Sequence, residues 1–458
     1  MGNGYNVAVI GGGIGGLMAA YKLKKENPKL KIVIIEKGKE LNKRKCPASS
    51  SKGCVHCPTC SITSGYAGAG AFSDGKFNLG LAYGGTLGEA VGEETGMKYI
   101  NMVDEILAGM CKDYPDIYQS DESLKLLCIQ NKLRLLDMNV RHLGTDRNLQ
   151  IMDAFIETIK EMGVETLSGV EVKSIEEIDE NKYYLYTNKK DINIITDNII
   201  VAVGRGGAEF VNYVCNEFKV PVVSNAVDIG VRVEMKDIVW KKFSDKIYEP
   251  KILYRTKTFE DDTRMFCFNK QGKVSVENNN GIITANGHAY ADPTLKTENC
   301  NFAILSSIHF TEPFNNPTEY VKNISQLSNL IGDNNVIVQR FGDLIRNRRT
   351  TERRLAMSTV TPTLKATPGD LSLVLPHRIL TNIIETIYAL NKVAPGTSND
   401  DTLLYGCESK YYSAKPKTDE NFCMYPGIYI VGDCSGICRG LSQSGAMGLI
   451  VADNILHS

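Results

Sequence analysis

The chain has 458 residues, 43% of them hydrophobic, and a formal net charge of −1, so it exceeds one hydrophobic core and two lobes are expected. Near-neutrality excludes bulk electrostatic attraction to nucleic acid or anionic lipid, and no apolar run reaches the roughly 18 residues of a membrane span. With the first strand starting by Asn6 there is no room for a secretion signal, and thirteen cysteines, an odd number, predict free thiols in a reducing cytoplasm.

The first predicted element is the strand Val7-Ala8-Val9-Ile10, which runs into Gly11-Gly12-Gly13-Ile14-Gly15-Gly16. Gly11, Gly13 and Gly16 have the G-x-G-x-x-G spacing of a dinucleotide-binding turn. In that motif Gly11 makes the tight turn, Gly13 admits a pyrophosphate and Gly16 lets the helix pack on the sheet. The N–H groups of the helix that follows, with Ile14 and Gly15 in its first turn, face the phosphates. This helix is expected to stop before Pro28, and a second strand from Lys31 to Ile35 delivers Glu36, whose carboxylate is placed to accept both ribose hydroxyls, with Lys37 beside it.

From Lys37 to Gly80 the composition turns to Cys, Gly, Ser and Lys, which reads as a long loop. Cys46, Cys54, Cys57 and Cys60 follow a C-x7-C-x2-C-x2-C pattern. Two-residue gaps let sulfurs converge, so the set suits an iron–sulfur cluster or a structural zinc. It equally suits a dithiol exchanging with a redox cofactor or a substrate disulfide, or a group of reduced structural thiols. The small residues of Gly68-Ala69-Gly70-Ala71-Phe72-Ser73-Asp74-Gly75-Lys76 suit backbone lying over a flat ring or a pyrophosphate, with Gly70, Ser73 and Asp74 as candidate contacts.

Residues 86–163 read as mainly helical, for example Leu124 to Leu136. Short β segments follow at Val170 to Val172, Tyr183 to Thr187 and Ile194 to Val203, the last entering Gly204-Arg205-Gly206-Gly207 and so returning a sheet to the dinucleotide. Val172 and Gly204 join the cofactor candidates. No second G-x-G-x-x-G occurs, which argues against a separate nicotinamide-binding domain. After Cys215 come alternating strands, including Val227 to Glu234, Met265 to Phe268 and Phe302 to Phe310, with helices near Thr318 to Leu330 and Leu380 to Leu390. This is the expected antiparallel substrate lobe. Arg232 and Arg264 are its candidate anion clamps, and His288, in a predicted turn Asn286-Gly287-His288, its candidate proton donor or acceptor. Arg340, Arg346, Arg348, Arg349, Arg353 and Arg354 form a basic cluster that reads as a salt-bridged face, with an anionic substrate, NADPH or RNA as its alternatives.

Near the end, Tyr425 to Asp433 is a strand closing in Gly432-Asp433, followed by Cys438-Arg439-Gly440-Leu441 and a helix from Ser442 to Ile455 rich in small residues. Here the sequence resembles flavoproteins of the glutathione reductase and fumarate reductase kind. More finely, the segment Arg44 to Pro47, the cysteine cluster, Gly68 to Lys76, Asn286-Gly287-His288 and Gly432-Asp433 through Arg439-Gly440 look like bacterial FAD-dependent dehydrogenases. The resemblance implies that Asp433 holds the ribityl chain of FAD and that N–H groups near Leu441 and Ser442, with Gly440, face the flavin pyrimidine edge. Cys434 and Cys438 depart from the small or hydroxyl residues it leads one to expect.

The expected architecture is α/β: a Rossmann-like, three-layer ββα FAD-binding domain assembled from both termini, with a central antiparallel β-rich cap. Its expected parts are 1–85, 164–214 and 396–458, with a helical segment at 86–163 and the substrate domain at 215–395. The expected function is hydride transfer between FAD and a small molecule, with NAD(P)H as a possible donor. A flavin-dependent RNA-modifying protein and a thiol- or iron–sulfur-linked electron-transfer flavoprotein are its rivals.

Overall fold

The computed structural model describes residues 3–47, 57–73, 75–82, 84–137, 139–223, 227–279, 281–290, 293–308, 310, 314, 316–410 and 415–457. The chain forms two compact units, one of Met1–Ile117, Asn139–Val223 and Tyr412–Ser458, the other of Tyr118–Met138 and Ser224–Tyr411. No helix among the described residues is long and apolar enough to cross a membrane.

The first unit is built on a parallel sheet whose strands lie in the order Ile428–Ile430, Ile194–Val201, Asn3–Ile10, Ile32–Glu36 and Glu165–Ser168. Its inner segments Val7–Ile10 and Ile32–Ile35 are continuous apolar runs because both faces are covered. Along the first strand Val7 and Val9 enter one core with the helices Ile14–Glu26, Thr145–Glu161 and Leu441–His457, while Ala8 and Ile10 enter another with the hairpin Val172–Asp179 and Lys182–Thr187. The result is the three-layer ββα arrangement. The first and last helices cross closely: a Cβ at Gly448 would sit 2.1 Å from the Gly15 carbonyl oxygen, so only glycine permits the crossing.

The second unit is a largely antiparallel sheet ordered Thr367–Pro368, Ile337–Arg340, Leu403–Lys410, Val227–Lys236, Asn299–Ile308, Asp262–Asn269, Ile252–Arg255 and Arg134–Leu135. The helices Pro317–Ile331 and His377–Asn391 supply apolar faces to its core, in which Trp240, Phe243, Phe268 and Phe302 cluster. Three segments fall outside the boundaries expected from sequence, the first being residues 215–223, expected in the substrate domain but part of the first unit. Strand Leu403–Lys410 lies between two strands of the second unit, pairing Leu404 with Val233 and with Gln339, so the chain returns to the first unit only after 411. The segment 118–138 also belongs here, because Arg134 and Leu135 pair with Leu253 and Ile252. The helix expected from Leu124 to Leu136 is Glu122–Gln130, and Lys132, at φ 59°, takes a left-handed turn into strand Arg134–Leu135.

Candidate functional site

Gly11 and Gly16 stand where a side chain would collide with neighbouring backbone. Gly11 has φ 109°, and a Cβ there would meet the Ala202 carbonyl oxygen at 2.3 Å, where strand Ile194–Val201 returns its glycine segment to the turn. A Cβ at Gly16 would lie 2.4 Å from the Gly11 oxygen, whereas one at Gly13 would find nothing of the chain within 4 Å. The helix Ile14–Glu26 begins at Gly13 with no side-chain cap and no acidic residue in its first turn, which suits an anion at that end.

Glu36 is buried, and its two carboxylate oxygens accept hydrogen bonds from the Gly12 N–H at 2.8 Å and the Gly38 N–H at 2.7 Å. An ionised carboxylate offers about four acceptor positions, so two backbone bonds fix its direction and leave capacity for hydroxyl donors. Lys37 is exposed, and Val172 is buried in the core beneath the adjoining strands.

The Gly-rich stretch lies directly on this turn. Ala67 N–H donates to the Gly12 carbonyl at 2.8 Å, the Tyr66 ring covers Gly12, and a Cβ at Gly68 would come 3.2 Å from the Gly13 Cα. Gly70 abuts Leu441 at the start of the last helix, where a Cβ would approach Leu441 Cδ2 to 2.3 Å. Ser73 Oγ donates to the Gly70 carbonyl at 2.7 Å, and Asn148 Nδ2 donates to the carbonyls of Gly70 and Ala71 at 2.8 and 3.1 Å. Asp74 lies outside the described residues.

Arg44 secures the same stretch from below. It is buried, and its guanidinium donates to four carbonyls: Ser61 at 2.9 Å, Tyr66 at 2.6 Å, Gly68 at 2.8 Å and Ile62 at 2.7 Å. Burial pulls its pKa down to about 10, opposed by the nearby charge of Glu36.

At the C-terminal end, Gly432 takes φ 82° and presents Asp433, which accepts from Arg205 Nε at 2.9 Å and from Ser444 Oγ at 3.3 Å. The turn at Gly440, φ 82°, leads into helix Leu441–His457. Ser442 Oγ near its start is buried with no hydrogen-bond partner among the described residues, an unmet polar group of the kind a bound ligand satisfies. Cys434 and Cys438 are buried small residues rather than exposed thiols. Burial pushes the Cys434 thiol up to about 12 and the Cys438 thiol well up.

Tyr66, Asn148, Arg205 and Gln443, whose side-chain oxygen accepts from the Arg439 N–H at 3.1 Å, were not legible as site residues. Each acts across a long sequence separation or through backbone, and no motif marks them.

Of the four cysteines proposed for a metal, Cys54 lies outside the described residues; Cys60 is exposed, and Cys46 and Cys57 are half-buried. Among the described residues no group of three His, Cys, Asp or Glu side chains can hold a metal ion.

The second unit corrects the anion-clamp expectation for Arg232. Its side chain is wholly buried and forms a bidentate pair with Glu408 at 2.8 and 2.9 Å. Its other N–H groups go to the Cys267 carbonyl at 2.9 Å, Asn301 Oδ1 at 3.5 Å and Asn286 Oδ1 at 3.1 Å, which leaves no donor for a ligand. Arg264 is paired with Asp228. Asn286-Gly287-His288 is the end of strand Ile282–His288, not a turn, and Gly287 is required because Asn301 Oδ1 would stand 2.1 Å from a Cβ. His288 is exposed, with its ring edge-on to Tyr290 at 4.7 Å. The arginine cluster is salt-bridged: Arg340 to Asp401 and Asp343, Arg346 to Asp400, and Arg348 to Asp343. Arg349 and Arg353 of the cluster are exposed.

A family model described as "FAD-dependent protein, C-terminal domain-like" matches residues 226–411, and one described as "NAD(P)-binding Rossmann-like domain" matches residues 9–42. The mitochondrial L-2-hydroxyglutarate dehydrogenase of Dictyostelium discoideum is 49% identical over 53 residues, which is 12% of this chain and 11% of that protein's length. Glycine oxidase from Bacillus cereus ATCC 14579 aligns over 99% of this chain and 95% of its own at 12% identity and TM-score 0.39. L-proline dehydrogenase from P. horikoshii aligns over 100% and 94% at 15% identity and TM-score 0.41.

Proposed function

We propose that this chain is an FAD-dependent oxidoreductase acting on a small molecule, of the glutathione reductase and fumarate reductase kind. The observation that carries the reading is the sheet order of the first unit. Strands Asn3–Ile10 and Ile428–Ile430 both run parallel to Ile194–Val201, one on each side, so the Gly11–Gly16 turn and Gly432-Asp433 emerge at the same edge. Ligands of open α/β sheets bind beyond that edge.

The residues present fit the group. Gly11, Gly13, Ile14, Gly15 and Gly16 would hold the pyrophosphate, Glu36 the ribose and Asp433 the ribityl chain, with Gly70, Ser73 and Gly204 lining the cradle. Gly440, Leu441 and the orphaned Ser442 hydroxyl would meet the ring edge, where the helix N-terminus favours negative charge. When bound, FAD supplies reversible two-electron chemistry. The chain's own work is to fix the dinucleotide through backbone N–H groups and to set the electrostatics of its ring. His288, exposed on the second unit, remains the candidate for moving a proton to or from the substrate, and NAD(P)H is the proposed electron donor. A reducing, cytoplasmic setting belongs to the same reading, as the odd number of cysteines suggests.

The test is direct: denature the purified protein and identify the released flavin by chromatography against FAD and FMN, then follow flavin bleaching anaerobically with NADH, NADPH and small 2-hydroxy acids. FAD in the supernatant and bleaching by one of these is the expected result. A folded, colourless protein that takes up no FAD overturns the assignment.

A further inference from the structure

The cysteines of the long loop have no part in the proposed dinucleotide site, and two of them sit in a setting that points to chemistry of their own. Cys57-Pro58-Thr59-Cys60 has the C-x-x-C spacing at which two sulfurs reach one another. Cys60 is exposed and Cys57 half-buried, so a disulfide in solution can reach the first and the second can follow it. Cys60 opens a tight turn closed by the Ser64 N–H donating to the Cys60 carbonyl at 2.9 Å. The buried Arg44 grips this same turn through the carbonyls of Ser61 and Ile62, and all four of its hydrogen-bond partners are carbonyls rather than carboxylates. Its positive charge acts on the Cys60 sulfur as well as on the nearby Glu36.

We propose that Cys57 and Cys60 form a thiol–disulfide couple that reduces small disulfides, with Cys60 as the attacking sulfur and Cys57 as the resolving one. The Cys60 thiolate attacks one sulfur of the disulfide RSSR, forming a Cys60–SR bond and releasing RS⁻. Cys57, giving up its proton, then attacks the Cys60 sulfur, breaks the Cys60–SR bond and releases the second RS⁻. Two protons pass to the leaving thiolates; the pair loses two electrons and RSSR gains them. A dithiol in solution returns the couple to its reduced form.

The thiol's acidity agrees with this geometry. Burial pulls the Cys60 pKa upward, but the N–H groups of Thr63 and Ile62, the Thr63 hydroxyl and the Arg44 charge outweigh it and hold the thiol below its ordinary value. Arg44 also holds the Gly68 carbonyl, so the turn that activates Cys60 is tied to the stretch lying on the Gly11–Gly16 turn.

The inference does not rest on FAD, and neither does its test. The reduced full-length protein is alkylated with iodoacetamide across a pH series and each cysteine quantified by peptide mass spectrometry. Cys60 is expected to react fastest, at least about tenfold faster than Cys111 or Cys267 at neutral pH, with a midpoint below the ordinary thiol value of about 8.5. Oxidised glutathione is expected to give a Cys57–Cys60 disulfide in the wild type and, in Cys57→Ser, glutathione retained on Cys60. Thr63→Val is expected to shift the Cys60 midpoint upward. Ordinary reactivity at Cys60, a disulfide that maps to another cysteine, or stoichiometric zinc or iron protecting the pair overturns the proposal.

Discussion

A methyl group on Gly13 points into space that the chain leaves empty, whereas one on Gly16 would strike the Gly11 oxygen at 2.4 Å and Val9 Cγ1 at 2.8 Å. The backbone at Gly13, φ −75° and ψ 174°, is open to any residue. Gly13→Ala is therefore expected to keep its urea stability within about 0.5 kcal/mol while losing FAD affinity by at least tenfold, about 1.4 kcal/mol. Gly16→Ala is expected to cost about 1–3 kcal/mol of stability through overpacking before any ligand is added. Equilibrium unfolding beside flavin titration checks both, and a Gly13→Ala protein that binds FAD normally would remove the pyrophosphate role. The residue scale is also where sequence reading misled. Arg232 carries the charge of an anion clamp, but its use is decided by Glu408, Asn286, Asn301 and the Cys267 carbonyl, between 35 and 176 positions away. Charge is visible in a sequence; whether a buried partner has already claimed it is not.

Among the elements, the loop before strand Asp262–Asn269 is joined to helix His377–Asn391 by one carboxylate. Asp261 accepts from Arg378 Nε and Nη2, both at 2.6 Å, and from Asn382 Nδ2 at 2.8 Å. The Arg378 hydrogen bonds hold its pKa below the usual carboxylate value, more than offsetting desolvation. A pKa depressed in the folded state contributes stability above the unfolded value of about 4 and loses it as the pH falls through the lower folded value. Asp261→Asn is expected to lower stability at neutral pH by no more than about 1 kcal/mol, since Arg378 is largely exposed. It should also flatten the acid limb of a urea-midpoint series taken from neutral pH downward; an unchanged limb would refute the coupling. Element types were legible where period and length agreed, as in the helices Pro317–Ile331 and His377–Asn391. They were less legible at Glu122–Gln130, where an apolar run continues past a left-handed turn that no glycine announces.

For the whole molecule, the two units have separate cores, and the proposed FAD ligands lie in the first. FAD at about 100 times its Kd is expected to stabilise that unit by about 2.7 kcal/mol, raising in calorimetry the transition that Gly13→Ala leaves unresponsive. No shift in any transition would argue against a cradle in the first unit. The α/β class, the glycine turn with Glu36 twenty residues beyond Gly16 and the closing Gly432-Asp433 could be read from the chain alone, because turn chemistry and periodicity are local and depend only on neighbours in sequence. Which side chains remain available to a ligand was settled by tertiary structure alone. Ser442 is left buried without a partner while Arg232 is saturated, strand Leu403–Lys410 joins the second sheet, and Arg44 stitches Cys60 to the Gly-rich stretch. Those outcomes depend on hydrogen-bond partners and burial that long-range contacts supply, and a carbonyl seventeen or twenty-four residues away leaves no trace in the sequence around an arginine.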